Sequence, residues 1–283
     1  EALKVKLLGT EVQRLKKEPT ANLEAYQLYL KGRFHWFKWS EEGTIKAREY
    51  FTQALAIDPN YALAYSGIAD TSNPKAAPRQ VRLEIGMAAS KALELDDTLA
   101  EAHVSMGWIR FWFDWNWDAG EIEFKRAIAL KPSLALAHDA YAFSLIPMGR
   151  IKEGIAVQKK AVDLDPTSAA MMTDLGWAYY DARKYEQAIE HGRKAIELDA
   201  SFMQAHQLLG WVYALQGKSA EALPELQKAL SLERNPWNIG VLGRAYAKAG
   251  RRDEALRVIA ELDELSKQRY VLAGLPALIY MEL

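Results

Sequence analysis

The chain repeats one turn-forming pattern about every 34 residues, and this periodicity restricts its fold more than any other feature of the sequence. The repeated turns end at Pro59, Asp97, Pro132, Pro166, Ala200 and Arg234. Their successive spacings, taken from these positions, are 38, 35, 34, 34 and 34 residues. A small residue stands five residues before each turn, at Ala54, Ala92, Ala127, Ala161, Ala195 and Ala229. Such a period predicts a stack of short repeated units in which each unit buries its apolar face against its neighbours.

Small and aromatic residues also keep fixed places within each period. A small residue recurs at Ala69, Gly107, Ala142, Gly176, Gly210 and Gly243, and an aromatic residue follows at Tyr179, Tyr213 and Tyr246. Glycines fall where a turn between two helices needs a left-handed residue, at Gly149, Gly217 and Gly250. These features resemble the tetratricopeptide repeat, a helix-turn-helix unit of 34 residues. The resemblance implies an all-α, right-handed superhelical solenoid of antiparallel helix pairs.

The repeat register predicts the organisation of the whole chain. Residues 1–21 are expected to form a helical lead-in that caps the first repeat or links it to an upstream domain. Residues 269–283 are expected to be the first helix of a truncated eighth repeat. Seven repeats are predicted between them, at residues 22–60, 61–98, 99–133, 134–166, 167–200, 201–234 and 235–268.

Three stretches carry a narrower resemblance. They are Glu24–Arg33, Leu95–His103 and Asp114–Trp117. Together they resemble the C-terminal repeat region of bacterial multidomain signalling proteins, including winged-helix transcriptional regulators and serine/threonine kinases. This resemblance implies that the chain is the sensory or docking part of a longer protein, whose effector lies upstream.

In the tetratricopeptide family, particular positions of each first helix face the inner wall of the superhelix. Mapped onto this chain, the resemblance implies a row of large aromatic residues with polar groups between them. The function expected for this groove is binding of a protein or peptide, because Trp and Tyr supply contact area with little loss of rotamer entropy. The predicted partner-binding residues are Trp108, Phe111, Trp112, Asp139, Phe143, Thr173, Trp177, Tyr180, Gln204, Gln207, Trp211 and Arg244.

Three alternatives to this interpretation stay open. The rings could pack between first helices and only hold the solenoid together. The same wall could instead hold a small apolar or sugar ligand, because stacked aromatics suit either. The repeats could also serve homo-oligomer assembly, with a homodimer formed through the apolar C-terminal helix.

Composition narrows the function class further. The chain has 36 Lys and Arg against 37 Asp and Glu, so it lacks the broad positive charge that a nucleic-acid partner would require. No apolar stretch is long enough to predict a membrane span. The sequence has no cysteine, no phosphate-binding loop and no nucleophile elbow, so neither an enzyme nor a cofactor is predicted.

The histidines do not predict a metal site. His103, His138 and His206 occupy the same position in three repeats, at least one repeat apart, whereas metal ligands must converge on one ion. Packing is the expected role of these side chains. A cytoplasmic location is expected from the absence of cysteine, with export left open.

Overall fold

The computed structural model describes residues 20–71 and 78–283. These residues form fifteen helices and no strand, which confirms the predicted all-α class. Residues 1–19 of the predicted lead-in and residues 72–77 lie outside the described residues. In chain order the helices are α1 (Leu23–Trp36), α2 (Glu41–Ile57), α3 (Ala62–Asp70), α4 (Pro78–Leu95), α5 (Ala100–Trp112), α6 (Trp117–Leu130), α7 (Ala135–Leu145), α8 (Ile151–Leu164), α9 (Ala169–Asp181), α10 (Tyr185–Leu198), α11 (Met203–Leu215), α12 (Ser219–Leu232), α13 (Pro236–Lys248), α14 (Arg252–Ser266) and α15 (Gly274–Tyr280).

The described residues divide into two compact units, which we call unit 1 (20–71 and 78–137) and unit 2 (138–283). In unit 1 the helices pack as the antiparallel pairs α1/α2, α3/α4 and α5/α6. Polar side chains cap the N-termini of two second helices, α2 and α6. Ser40 accepts a hydrogen bond from the Gly43 backbone N–H, and Asn116 accepts one from Ala119. These caps satisfy backbone donors that a helix leaves free at its first turn.

Unit 2 contains the pairs α9/α10, α11/α12 and α13/α14, with α15 packed against α13 and α14. Helix α8 also lies against α7 and α9. Each first helix is followed by a turn of a few residues and an amphipathic second helix, which is the arrangement that the repeat period predicts. The exact boundaries of the seven repeats stay a prediction from the sequence.

Small residues permit the close approach within a pair. A β-carbon on Gly107 of α5 would overlap the ring of Phe124 on α6, which is fully buried. One on Gly210 of α11 would lie 2.5 Å from Leu226 of α12. The same arrangement joins Gly32 of α1 to Phe51 of α2. The recurring small position is therefore a steric requirement of helix pairing, as the sequence predicted.

Among the described residues, no helix is both long enough and apolar enough to cross a membrane.

Candidate functional site

The aromatic residues predicted for the inner wall come together in unit 2. The ring centroids of Trp177 and Trp211 are 6.4 Å apart in an edge-to-face arrangement, and Tyr180 lies 5.5 Å from Trp177. The indole Nε1–H of Trp211 donates a 2.7 Å hydrogen bond to the Tyr180 hydroxyl. The guanidinium of Arg244 lies over the Trp211 ring at 5.2 Å. We call these four residues the unit 2 wall.

Three successive first helices supply the unit 2 wall. Trp177 and Tyr180 belong to α9, Trp211 to α11 and Arg244 to α13. Arg244 is held in place by Glu282, whose carboxylate accepts bonds of 2.7 and 3.0 Å from the guanidinium. The wall therefore connects helices from different pairs, and its side chains hold each other in one arrangement.

The rings of the unit 2 wall are only partly buried. Trp177 packs against a core that includes Leu175 and Val212, and Trp211 packs against a core that includes Leu226 and Val241. All four wall side chains nevertheless remain partly exposed. The packing and binding interpretations are therefore compatible, because a ring can stabilise the unit with its buried part while the rest stays accessible.

A pair of acidic side chains lies beside the wall. Asp139 of α7 is buried and accepts a 2.6 Å hydrogen bond from the Gln158 side chain of α8. It also forms a hydrogen bond with Asp174 of α9, three residues before Trp177. Burial raises the pKa of Asp139 to about 6, and burial together with the Asp139 charge raises the pKa of Asp174 well above its usual range. Two carboxyl groups that share a site resist double ionisation.

Three polar residues predicted to contact a partner are buried instead. The Thr173 hydroxyl donates to the Ala169 carbonyl of its own helix at 2.8 Å. Gln207 donates to the side chain of Asn238 at 2.8 Å, and Asp139 is engaged by Gln158 as described above. Their prediction as partner contacts is corrected, because their polar groups are satisfied inside the unit.

The predicted residues of unit 1 form a separate cluster. Trp108 stacks on Trp112 at 6.5 Å and meets Phe111 and Phe124 edge-on. Phe111 is only 2% exposed and stacks on Trp117, so its predicted contact with a partner is also corrected. Trp108 is half-buried and Trp112 is exposed. All of these rings belong to the single pair α5/α6.

The remaining predicted residues lie in unit 2 outside the ring contacts given above. Phe143 of α7 is exposed, and Gln204 at the start of α11 is half-buried. Both stay candidate contact residues.

The sequence prediction missed a groove in unit 1. Its volume is about 800 Å³, and helices α2, α3, α4 and α5 line it. Leu83 and Met87, one turn apart on α4, are exposed in this groove, while Arg82 donates to Asp114 across it at 2.8 Å. The sequence signal that could have revealed this groove is the pair of apolar residues four positions apart on a second helix. The repeat pattern makes no prediction about the face on which they lie.

Two of the histidines expected to serve packing, His103 and His206, form polar bonds within their helix pairs. His103 Nδ1 lies 2.6 Å from Glu123, and His103 Nε2 lies 3.0 Å from the Asp97 carbonyl oxygen. His206 repeats this arrangement in unit 2, with Glu225 at 2.6 Å and the Ala200 carbonyl at 3.1 Å. Within residues 20–71 and 78–283, no group of three or more His, Asp or Glu side chains could hold a metal ion.

Comparison with protein families identifies the repeat. Tetratricopeptide repeat models match residues 134–201, 173–236 and 239–269. No curated protein sequence matches the chain significantly.

Solved structures show the same fold. A thermophilic tetratricopeptide protein of Thermus thermophilus, TTC0263, is 25% identical, with a TM-score of 0.54 over 57% of this chain and 89% of its own. PilW, a widely conserved type IV pilus biogenesis factor, is 19% identical, with a TM-score of 0.55 over 66% of this chain and 86% of its own. The APC/C hetero-tetramer Cut9–Hcn1 is 18% identical, with a TM-score of 0.72 over 93% of this chain and 51% of that chain.

The repeat models match residues 134–236 and 239–269, and the helix pairs and solved structures show the same fold. The tetratricopeptide fold implies a role in protein–protein interaction or as a scaffold. The chain contains a tetratricopeptide repeat domain.

Proposed function

We propose that the unit 2 wall is the docking surface for a protein or peptide. The observation that supports this most strongly is the contact of Trp177, Tyr180 and Trp211 across two helix pairs, with all three side chains still partly exposed. Aromatic anchors of this kind bury a large area at a small entropic cost. An extended or helical segment with apolar side chains suits the wall best.

The acidic pair beside the wall favours a basic group in that segment. Asp174 is partly exposed and forms a hydrogen bond with the buried Asp139, and burial raises the pKa of both carboxyl groups. A Lys or Arg side chain of the partner would lower the pKa of this pair and stabilise its ionised form. The partner segment is therefore one that combines apolar or aromatic anchors with a basic residue.

The narrower sequence resemblance supports a role for this docking in signalling. In a bacterial signalling protein of winged-helix or kinase type, docking on the repeats would bias an attached effector. The proposed role of the chain is thus the sensory or docking part of such a protein.

A capture experiment tests the proposal. Wild type, the Trp177→Ala/Trp211→Ala variant and a Trp237→Ala control are used as baits in lysate of the source organism. Trp237 is an exposed tryptophan on α13 of the same unit, outside the wall. The affinity of each retained protein is then measured by calorimetry with purified components. Loss of the two wall rings is expected to weaken binding by about 2 kcal/mol or more, with Trp237→Ala close to wild type.

Three other results would replace the proposal. Equal affinity of all three baits would place the docking surface outside the wall. Self-association of the chain at rising concentration, with no retained partner, would favour assembly through the C-terminal helix. A small apolar or sugar ligand would show itself as a thermal shift with a metabolite panel that the double variant loses.

A further inference from the structure

Helix α4, which forms one wall of the unit 1 groove, differs from other second helices where it contacts its first helix. In five other second helices, a small residue stands seven positions before the recurring alanine, at Ala47, Gly120, Gly154, Ala188 and Ala222. This position is crowded, because a β-carbon on Gly120 would lie 3.2 Å from the Gly107 carbonyl oxygen. Helix α4 has the buried Ile85 there. Since the distance between packed helices depends on the side chains at their contact, this bulkier residue favours a wider separation and a groove beside α4.

The exposed side of α4 is also more apolar than that of the other second helices. Leu83 and Met87 lie two residues before and two residues after Ile85, and they are 53% and 75% exposed. In α10 the residues at these two positions are the exposed Glu186 and Glu190. The other second helices in this register carry at most one large apolar residue at the two positions. Isolated apolar residues are ordinary on a protein surface, but an apolar pair that borders a groove indicates a contact surface.

The apolar lining of the groove extends from α4 to three neighbouring helices. It includes Leu55 of α2, Tyr65 and Ile68 of α3, and Met106 and Ile109 of α5. The groove is open to solvent at Leu83 and Met87, so a small molecule lying on them would stay largely in water, whereas ligand pockets bury most of their ligand. An amphipathic helix fits better, because it covers such a groove with apolar side chains spaced by three and four residues.

The charged residues of the groove leave a positive excess at one place. The lining holds four cations and three acids, namely Arg48, Arg82, Lys91 and Arg110 against Glu84, Glu94 and Asp114. Asp114 accepts bonds from both Arg82 and Arg110, at 2.8 and 3.1 Å, whereas the other two cations each pair with one acid. The side chains of Arg82 and Arg110 are 39% and 44% exposed. Two accessible guanidinium groups on one carboxylate can donate to a second carboxylate supplied by a partner.

We propose that the unit 1 groove binds an amphipathic helix of a partner protein. The apolar face of that helix lies on Leu83 and Met87, and an acidic residue beside this face accepts hydrogen bonds from Arg82 and Arg110. Methionine and arginine around an apolar centre are typical of protein interfaces. This inference does not rest on the function proposed for unit 2, because it concerns other helices and a partner segment of the opposite charge.

Fluorescence anisotropy with two synthetic peptides tests the proposal on the full chain. Each labelled peptide has about 15 residues, with leucines spaced by three and four positions on one face and either Glu or Lys beside them. The groove variant is Leu83→Ser/Met87→Ser. The matched control is Ile45→Ser/Ile122→Ser, because Ile45 of α2 and Ile122 of α6 are exposed at the same two repeat positions and lie outside the groove lining.

Docking in the groove predicts that wild type binds the acidic peptide about tenfold or more tightly than the basic peptide. The groove variant is expected to bind the acidic peptide about tenfold more weakly, while the control variant stays within about twofold of wild type. Arg82→Gln/Arg110→Gln is expected to remove the preference for the acidic peptide and to keep part of the apolar affinity. Circular dichroism of each variant checks that the helices are retained.

Other outcomes would overturn the proposal. No binding of the acidic peptide at up to about 1 mM would show that the groove does not recognise such a helix. Equal binding of the two peptides, or equal loss of affinity in the groove and control variants, would place recognition outside the groove. A mass that doubles with concentration for wild type, but not for the groove variant, would show that a second copy of the chain covers the groove.

Discussion

The two units bury acidic side chains in different ways. In unit 1, Asp70 accepts a 2.9 Å bond from Arg33 and a 2.6 Å bond from Ser105. In unit 2, Asp139 lies against a second acid, Asp174. Burial raises the pKa of all three carboxyl groups, but Arg33 opposes this rise at Asp70, whereas the Asp139 charge adds to it at Asp174. Unit 1 therefore pairs its buried acid with a cation, while the two acids of unit 2 are held by hydrogen bonds to each other and to Gln158.

The aromatic clusters of the two units also differ in which helix pairs supply their rings. The rings around Trp108 belong to one helix pair, and Trp108 itself packs edge-on against the buried Phe124. The rings of the unit 2 wall come from two pairs and are linked by the bond from Trp211 to Tyr180. Trp108 packs on the core of a single pair, whereas the unit 2 wall links two pairs and stays partly exposed. Strained or imperfectly neutralised features are common at functional surfaces, which is why we place the docking function in unit 2.

The largest expected effect separates the two kinds of aromatic residue. Phe124→Ala should destabilise the chain by about 3–5 kcal/mol, because it empties a fully buried site beside Gly107. Trp177→Ala should cost about 1–2 kcal/mol, because part of its ring is already exposed. Chemical denaturation of both variants measures the difference. Equal losses would show that Trp177 is a core residue like Phe124 and would break the comparison.

Neutralising the buried acids should change stability in opposite directions. Asp70→Asn is expected to destabilise by about 2 kcal/mol at pH 7, because Arg33 loses its buried counterion. Asp174→Asn is expected to stabilise by about 1 kcal/mol, because an amide donor replaces the shared proton without a second buried charge. Both values come from urea unfolding at neutral pH. If Asp174→Asn destabilises the chain as much as Asp70→Asn does, the two sites are equivalent.

Each unit contains a histidine whose two ring nitrogens face acceptors, so both nitrogens can donate only in the protonated ring. The hydrogen bond to Glu123 raises the pKa of His103, and the bond to Glu225 does the same for His206. This stabilisation is complete below the unfolded pKa of about 6.5 and is lost as pH rises through the raised folded pKa.

Replacement of both glutamates should therefore flatten the pH dependence of stability. Glu123→Gln/Glu225→Gln is expected to remove about 1 kcal/mol per site below about pH 6.5 and progressively less above it. Thermal unfolding of wild type and variant, recorded from roughly pH 5.5 to roughly pH 8 around the titration of histidine, measures this effect. Parallel curves for the two proteins would contradict the assignment of charged rings.

The smallest expected changes in stability concern left-handed residues in the turns between helices. Trp115 in unit 1 has a φ of 53° and is 73% exposed, whereas Gly217 in unit 2 has a φ of 74° at the equivalent turn. Left-handed backbone costs a side-chain-bearing residue about 1 kcal/mol. Trp115→Gly should therefore stabilise by about 0.5 kcal/mol, and Gly217→Ala should destabilise by about 1 kcal/mol. Calorimetry resolves both, and a destabilising Trp115→Gly would mean that the exposed ring contributes to the fold.

The sequence predicted the parts of the molecule that depend on the repeat. Gly107 and Gly210 follow from the steric demand of helix pairing, and Trp177 and Trp211 follow from their register on first helices. The buried state of Gln207 could not be predicted, because its partner Asn238 lies on another helix pair and no periodic signal connects them. The bond between Asp139 and Gln158 was equally beyond the repeat pattern. Position in a repeat defines which face a residue occupies, but the partner across the interface decides whether it stays accessible.

The most direct test of the docking account is fluorine NMR of the chain labelled with 5-fluorotryptophan. Single Trp→Phe substitutions at positions 177, 211 and 237 assign the three signals that matter. A protein captured by the chain is then titrated onto it. Docking on the unit 2 wall predicts that the signals of Trp177 and Trp211 shift while that of Trp237 stays constant. Shifts confined to tryptophans outside the wall, with Trp177 and Trp211 unchanged, would contradict the account.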